Sequence, residues 1–238
     1  MERLQKVIAD SGVCSRRKAE QLMLEGKVKV NGVVTKVLGT KVGKNDTILV
    51  EDKPLPTVEY EYFVLYKPEG VVSTTEDDKG RRTVVDFLPT KNRLYPVGRL
   101  DYDTSGVLLL TNDGAFTQAM IHPKYKIEKE YQVTMTGLLR KETSTKLSRG
   151  IHLDGKKTAR SKIRQVDYNT EKMTTRCHLI ITEGRYHQVK NMFEAVGHPV
   201  LKLKRVRFGI ITLKGMKKGE ARHLKPHELK QLYVLSEK

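Results

Sequence analysis

The chain has 238 residues, room for one large domain or one medium and one small. Hydrophobic residues make up 38%, which supports a packed core and excludes global disorder. The 45 Lys and Arg outnumber 28 Asp and Glu, leaving a net charge of +17; a protein this basic usually meets a polyanion, because each phosphate it neutralises releases a counterion. An anionic membrane is the other partner of that kind, but no apolar run reaches the length of a span and no basic helix carries a large apolar face. The N-terminal MERLQKVIAD has no signal-peptide pattern, so the cytoplasm is the expected compartment. Cys14 and Cys177 have neither the spacing of a disulfide framework nor that of a zinc site.

In chain order, Leu4, Val7 and Ile8 share one helical face, and Ser11-Gly12-Val13 ends that helix. Ser15 is placed to cap a second helix carrying Ala19, Leu22 and Met23, and Gly26 suits its C-terminal end. Short β-favouring runs follow at 28–30, 33–34 and 47–50, the first two joined by Asn31-Gly32, a strong hairpin signal. Arg16, Arg17 and Lys18 crowd the first turn of the second helix, where cations oppose the helix dipole, and Lys27 and Lys29 lie beyond its end. A surface that contacts phosphates explains them better than helix stability does. The segment ERLQKVIADSGVCSRRKAEQLMLEGKVKVNG, with the later KVGKNDTILV, resembles the small alpha-L RNA-binding module of ribosomal-protein type. The module is expected over residues 1–53, followed by a proline-marked linker over 54–60 and a second domain over 61–238.

In that second part, residues 62–66 read as a strand ended by Lys67-Pro68-Glu69-Gly70, residues 73–82 as a surface loop, and Val84, Val85, Phe87 and Leu88 as a return to the core. Residues 97–114, VGRLDYDTSGVLLLTNDG, place two carboxylates, two hydroxyls and a glycine before the unbroken apolar run Val107–Leu110, a buried strand able to hold a loop rigidly. A short helix with Phe116, Ala119 and Met120 follows, then an irregular basic stretch. Residues 130–135 alternate as a half-buried strand, 137–150 carry a helix, and 161–168 and 173–182 form a hairpin. A helix from about His187 has Val189, Met192, Phe193 and Val196 at helical spacing, and 200–208 is strand-like, with Lys204, Arg205 and Arg207 among its apolar positions.

No HExxH or paired-cysteine metal site, P-loop, dinucleotide glycine fingerprint or nucleophile elbow is present, which leaves carboxylate chemistry in a basic protein. Asp101 and Asp103 stand too close in one loop to serve as the opposed acids of a glycosidase. By itself Asp101 is also open to reading as a turn residue or as the partner of Arg99.

Taken together, LYKPEG (65–70), GRLDYDTSGVLLLTNDG (98–114), KEYQV (129–133) and EGRYHQVKNMFEAVG (183–197) resemble bacterial ribosomal RNA pseudouridine synthases of the RsuA/RluB type, over nearly the whole chain. The resemblance implies an α+β protein: a helix pair and β-ribbon module followed by a larger catalytic domain around a mixed, mainly antiparallel sheet. It implies isomerisation of uridine in ribosomal RNA, with no cofactor, no metal and no obligate protein partner. Asp101 matches the nucleophile, Tyr131 the residue stacked on the target base, Lys190 the cation paired with Asp101, and Arg99 a residue near the extruded nucleotide. Lys67 and Pro68 match a mainly structural motif, and Asn191 stands where relatives commonly carry a second basic residue. RNA contacts are expected from Arg16, Arg17, Lys18, Lys27, Lys29, Arg185, Lys204, Arg205 and Arg207. MERLQKV and GRLDYDTSG look more like enzymes of 23S RNA, and EGRYHQVK more like those of 16S RNA; 23S is preferred. A non-catalytic binding or assembly protein is the competing class, and Asp101 speaks against it, since a binder of polyanions gains nothing from a carboxylate there.

Overall fold

The computed structural model describes residues 1–237. The chain divides into two compact units. The first comprises Met1–Glu61 with Lys91–Arg93 and Asn112–Gly114; the second takes in Tyr62–Thr90, Leu94–Thr111 and the chain from Ala115 onward.

In the first unit, β1 (Glu2–Arg3) leads into α1 (Leu4–Asp10), and α2 (Arg16–Leu24) follows after a turn. Ser15 caps α2 as expected, its hydroxyl accepting the Lys18 amide at 3.2 Å. β2 (Val28–Val30) and β3 (Val33–Val34) make the expected hairpin. Its turn residues Asn31 and Gly32 have φ of 51° and 81°, the left-handed pair that a two-residue hairpin requires. β4 (Lys41–Val42) pairs with β1, while β5 (Ile48–Val50) and β6 (Lys53–Pro54) complete a four-stranded sheet ordered β3-β2-β5-β6. Leu4 and Ile8 of α1 and Ala19, Leu22 and Met23 of α2 pack on Val28, Ile48 and Val50 of the sheet. The sequence assigns Pro54 to the linker; the structure instead pairs it with Leu49 on an edge strand, where a residue without an N–H is tolerated.

The second unit is built on β7 (Tyr62–Lys67), β8 (Tyr95–Pro96) and β9 (Ser105–Thr111), with α3 (Gly114–Ile121) next in the chain. β10 (Lys129–Thr136), α4 (Lys141–Arg149) and the small hairpin β11 (His152–Leu153) and β12 (Lys156–Lys157) precede the long hairpin β13 (Lys162–Asn169) and β14 (Thr174–Ile181). α5 (Gln188–Glu194), β15 (Val200–Phe208), β16 (Ile211–Thr212), β17 (Ala221–His223) and α6 (Pro226–Ser236) close the unit. The main sheet runs β13-β14-β10-β15-β9-β7-β17, with β16 on β15 and β8 on β9. Its pairs are antiparallel except β15 against β9, so the sheet is mixed and mainly antiparallel, as the resemblance implies.

β9 explains its own sequence. Every residue of it is buried, because the sheet is covered on both faces. Leu108 and Leu110 join a core with Val133, Leu179, Met192 and Phe193; Val107 and Leu109 join another with Phe116, Met120 and Leu232. Beyond Phe208 the sequence signals no regular element, yet β17 extends the sheet beyond β7 and α6 buries Leu232. No helix among the described residues is long and apolar enough to cross a membrane.

Candidate active site

The loop that precedes β9 is fastened at several points. Lys67 ends β7 with its side chain fully buried, and its Nζ donates to the carbonyls of Asp101 (3.0 Å), Thr104 (2.8 Å) and Pro68 (3.0 Å). Burial pulls its ammonium down to about 8. The Ser73 hydroxyl donates to Leu100 O at 2.7 Å and accepts from Leu100 N–H at 3.1 Å, and Gly70 N–H donates to Tyr102 O at 2.8 Å. With its backbone thus fixed, the loop presents the Asp101 carboxylate at a set point, 29% exposed.

Two side chains from the opening of α5 meet that carboxylate. Lys190 Nζ lies 3.1 Å from Asp101 Oδ2 and 2.6 Å from Asp103 Oδ1, and His187 Nε2 lies 3.4 Å from Asp101 Oδ1. The expected pairing of Lys190 with Asp101 is therefore present, but its shorter contact is to Asp103. Burial works against the Lys190 charge, yet the hydrogen bonds to Asp103 and Asp101 outweigh it and hold the ammonium above its ordinary range. The Lys190 hydrogen bond in turn lowers Asp103. His187, which by itself reads as a packing or hydrogen-bonding residue, stands at the N-cap position of α5 in the left-handed region at φ 48°, with the exposed Tyr186 ring stacked on it at 3.8 Å and 16°. A left-handed histidine at a helix start has no signature in local spacing, which is why the contact with Asp101 is invisible in the sequence.

Behind Asp101 is a cavity of about 150 Å³. Asp101, Thr104, Arg99 and His187 line it, as do Tyr131 and Lys129 of β10, Leu203, Arg205 and Phe208 of β15, and Val189 of α5. Tyr131 is 8% exposed and sits on the buried face of β10, where alternation placed it. Arg99 is exposed and also borders a wider groove of about 650 Å³, which reaches Asp101 from the Ser73–Arg81 loop and contains Tyr102, Arg185 and Tyr186. The site thus has a carboxylate with a cation beside it, an aromatic wall, and a cavity on the scale of one heterocyclic ring. A carboxylate so placed can attack an electron-poor carbon of a bound base or its sugar. No group of three or more potential ligands among the described residues is arranged to hold a metal ion.

The expected RNA contacts divide. Arg16, Arg17 and Lys18 are exposed on the first turn of α2. Lys27 is exposed and paired with Glu25 and Glu51; Lys29 is half-buried and paired with Asp52. Lys204 is half-buried, its ammonium 4.8 Å from the centre of the Tyr66 ring. Arg185 is exposed but donates to the carbonyls of Lys156 and Lys157, which ties β12 to the loop that carries His187. Two expectations need correction. Arg207 is held by Glu130 (2.9 Å), Glu128 (3.0 Å) and Gly209 O (2.7 Å), so its guanidinium is committed within the protein. Arg205 is only 3% exposed and lines the cavity, so it offers no open surface to phosphate. Asn191 donates weakly to Tyr186 O at 3.5 Å.

Two family profiles match the chain: one described as RNA pseudouridylate synthase over residues 61–195, and the S4 domain over residues 2–48. The ribosomal large subunit pseudouridine synthase B of Bacillus subtilis is 52% identical over 238 residues, covering 100% of this chain and 98% of that protein. An RNA pseudouridine synthase of Aquifex aeolicus is 39% identical over 234 residues, covering 97% and 93%. The crystal structure of a pseudouridylate synthase superposes with a TM-score of 0.70 at 34% identity, covering 98% of this chain and all of that one.

Proposed function

The chain belongs to the RNA pseudouridylate synthase family, and from that footing we propose that it isomerises uridine to pseudouridine in large-subunit (23S) ribosomal RNA, with Asp101 as nucleophile. The observation that carries this assignment is that Asp101, paired with Lys190, lines a cavity walled by Tyr131. The chemistry breaks the bond from ribose C1′ to N1 of uracil and makes one from C1′ to C5. C5 loses a proton, N1 gains one, and nothing is oxidised, reduced or hydrolysed. A single carboxylate suffices to open that sequence by covalent attack, at C1′ or at C6 of the ring. Lys190 pairs with the Asp101 carboxylate and orients it. Tyr131 offers a flat face to a base that has left its stack, and Arg99, exposed at the mouth, is placed for the nucleotide backbone around it.

Affinity for the RNA comes from the cations of the S4 module, Arg16, Arg17 and Lys18 foremost, with Lys27, Lys29, Arg185 and Lys204 as further contacts. The large subunit is preferred because the Bacillus subtilis relative, named for it, matches along the full length of both chains. The substrate is ribosomal RNA in an assembling subunit in the cytoplasm, with no obligate protein partner. The test is pseudouridine mapping in 23S and 16S RNA from a deletion strain complemented with wild type or Asp101→Asn. A 23S site lost on deletion and restored only by the wild type is expected. Loss of a 16S site overturns the subunit assignment, and restoration by Asp101→Asn overturns the role of Asp101.

A further inference from the structure

The cavity holds two cations for which the reaction as described has no use. Alternation along β10 puts Lys129 on the same buried face as Tyr131, Val133 and Met135, a place where lysine is rarely left without a purpose. Lys129 is 8% exposed, and its Nζ donates to Ile127 O at 3.3 Å. On the neighbouring strand, Arg205 is the cross-strand partner of Tyr131, while a register shift between Glu130 and Tyr131 sets Lys129 opposite Phe208. Both cations rest on that one ring: Lys129 Nζ is 5.6 Å and Arg205 Cζ 5.3 Å from the Phe208 centroid. Arg205 Nε donates to Val107 O at 2.7 Å, but its buried Nη2 has no acceptor among the described residues, and neither does the buried hydroxyl of Thr104 in the same cavity. Among the described residues neither cation forms an ion pair with a carboxylate. Burial, and then the Arg205 charge, pull the Lys129 ammonium down to about 8, while Glu183 works the other way. Two buried like charges with an unused donor destabilise a fold, and such arrangements concentrate where a ligand completes them.

We propose that Lys129 and Arg205 form a cationic floor that donates hydrogen bonds to the carbonyl oxygens of the target uracil and holds the negative charge those oxygens acquire while the base is detached, a role that rests on the cavity being the uracil site. Ammonium and guanidinium groups are donors only. Uracil meets them with two carbonyl oxygens, whereas cytosine turns an amino donor to one of them and is refused. The same floor serves the chemistry whichever carbon Asp101 attacks. Attack at C1′ breaks C1′–N1 and sends the bonding pair out with the ring, as a uracil anion with its charge on O2 and O4. Attack at C6 moves the C5–C6 π pair onto O4 as an enolate. On the first route C5 then attacks C1′ and displaces the Asp101 carboxylate; on the second, C1′–N1 breaks, C5 bonds to C1′, and Asp101 is eliminated from C6 as the C5–C6 double bond re-forms. In both, the C5 proton leaves to solvent, N1 takes one up, and the charge returns from the ring oxygens to Asp101. Fixed donors aimed at oxygens that gain charge stabilise the transition state more than the bound substrate.

The test uses full-length protein and an unmodified ribosomal RNA transcript carrying tritium at C5 of uridine, since isomerisation expels that hydrogen into water. Single-turnover rates are measured against protein concentration, with melting curves for each variant. Lys129→Met is expected to lower the saturating rate about 100-fold, the scale of one lost oxyanion donor. Its half-saturating concentration stays near wild type, and Lys129→Arg recovers much of the rate because the charge returns. Arg205→Lys keeps the charge but gives up the Nη2 donor; it is expected to lose up to about 100-fold on the same scale, and it serves if the Met variant does not fold. A folded Lys129→Met at the wild-type rate, or Met and Arg variants that fall together, overturns the role of Lys129. An Arg205→Lys rate equal to wild type overturns that of Arg205. Wild-type protein that releases no tritium overturns the assignment of the cavity as the uracil site, and the floor with it, an outcome told apart from the others because it needs no variant.

Discussion

Gly106, the second residue of β9, has φ 125° and lies directly across the one parallel pairing of the main sheet from Arg205. A methyl group there would come within 2.6 and 2.8 Å of the Arg205 backbone N and C, and closer still to its carbonyl oxygen. Those are backbone atoms, so no side chain can swing aside; β15 must move or β9 must twist. Strain at this φ contributes about 1–2 kcal/mol for an L residue, and displacing a packed strand about 1–3 more. Gly106→Ala should therefore destabilise the protein by about 3 kcal/mol, which at 2–4 °C per kcal/mol for a domain of this size lowers the melting temperature by roughly 6–12 °C. Gly184→Ala, where nothing lies within 4 Å of an added carbon, is the control, expected within about 0.5 kcal/mol of wild type. Because β15 carries Arg205 and Leu203 into the cavity, Gly106→Ala should also slow single-turnover tritium release in whatever fraction remains folded. Thermal melts and rates at a temperature where both proteins are folded are the assays. A Gly106→Ala protein that melts with wild type and reacts at its rate refutes the close approach of the two strands as the feature that sets this site.

Three further outcomes are expected. Asp101→Asn should lose on the order of 10⁴-fold or more in single-turnover rate while RNA affinity in a filter-binding titration is kept, since a negative charge has been removed; near-normal turnover sinks the nucleophile assignment. Tyr131→Phe should hold the base nearly as well as wild type, whereas Tyr131→Leu should lose much of a stacking contribution of roughly 1–3 kcal/mol, read as separate shifts in half-saturating RNA and in rate; equal behaviour of the two variants removes Tyr131 from the base-holding role. For pH, Lys129 is held at about 8 in the fold against an ordinary 10.5, so between those values the unfolded chain keeps a proton that the folded protein has released, and stability rises with pH. Relative to Lys129→Met, wild type should gain up to about 3 kcal/mol from pH 8 to 10.5 in urea unfolding, and a flat difference would show that the lysine is not desolvated.

How far the site could be read from sequence depended on the range of the interactions involved. Period-two alternation in residues 130–135 is local and strong, so Tyr131 fell on the buried face as expected. The same alternation reaches one step back to Lys129, but a lysine at a strand end reads as the last residue of a basic loop. Arg205 and Arg207 also alternate along β15, and what separates the buried cation in the cavity from the one bound to Glu128 and Glu130 is the cross-strand register, which local pattern does not contain. The pairing of Lys190 with Asp101 came from motif resemblance, across 89 positions that no periodicity spans. Its contact with Asp103 depends on the loop geometry that Lys67 fixes from beneath. β17 and α6 were missed because the dense lysines and arginines between 202 and 230 hide the few apolar positions that dock them.

The net charge of +17 invites treating every cation as a phosphate contact, and the partners show why that fails. An arginine bound to two carboxylates near 3 Å, as Arg207 is, cannot be recruited by a phosphate without stranding both carboxylates, a penalty comparable to the attraction the phosphate would supply. Exposed cations on a helix N-terminal turn, as Arg16 and Arg17 are, already oppose the helix dipole, and an arriving phosphate relieves that repulsion. The cations that favour RNA most are thus those the fold leaves electrostatically unsatisfied, ahead of those with weaker surface partners such as Lys27, Lys29 and Arg185, and the same criterion applied inside the catalytic unit selects Lys129 and Arg205. On the surface a phosphate satisfies them, reversibly and with strong dependence on salt. In the cavity a flat neutral ring does so more fully as charge develops on its oxygens, which is when a stabilising interaction accelerates a reaction instead of merely tightening binding.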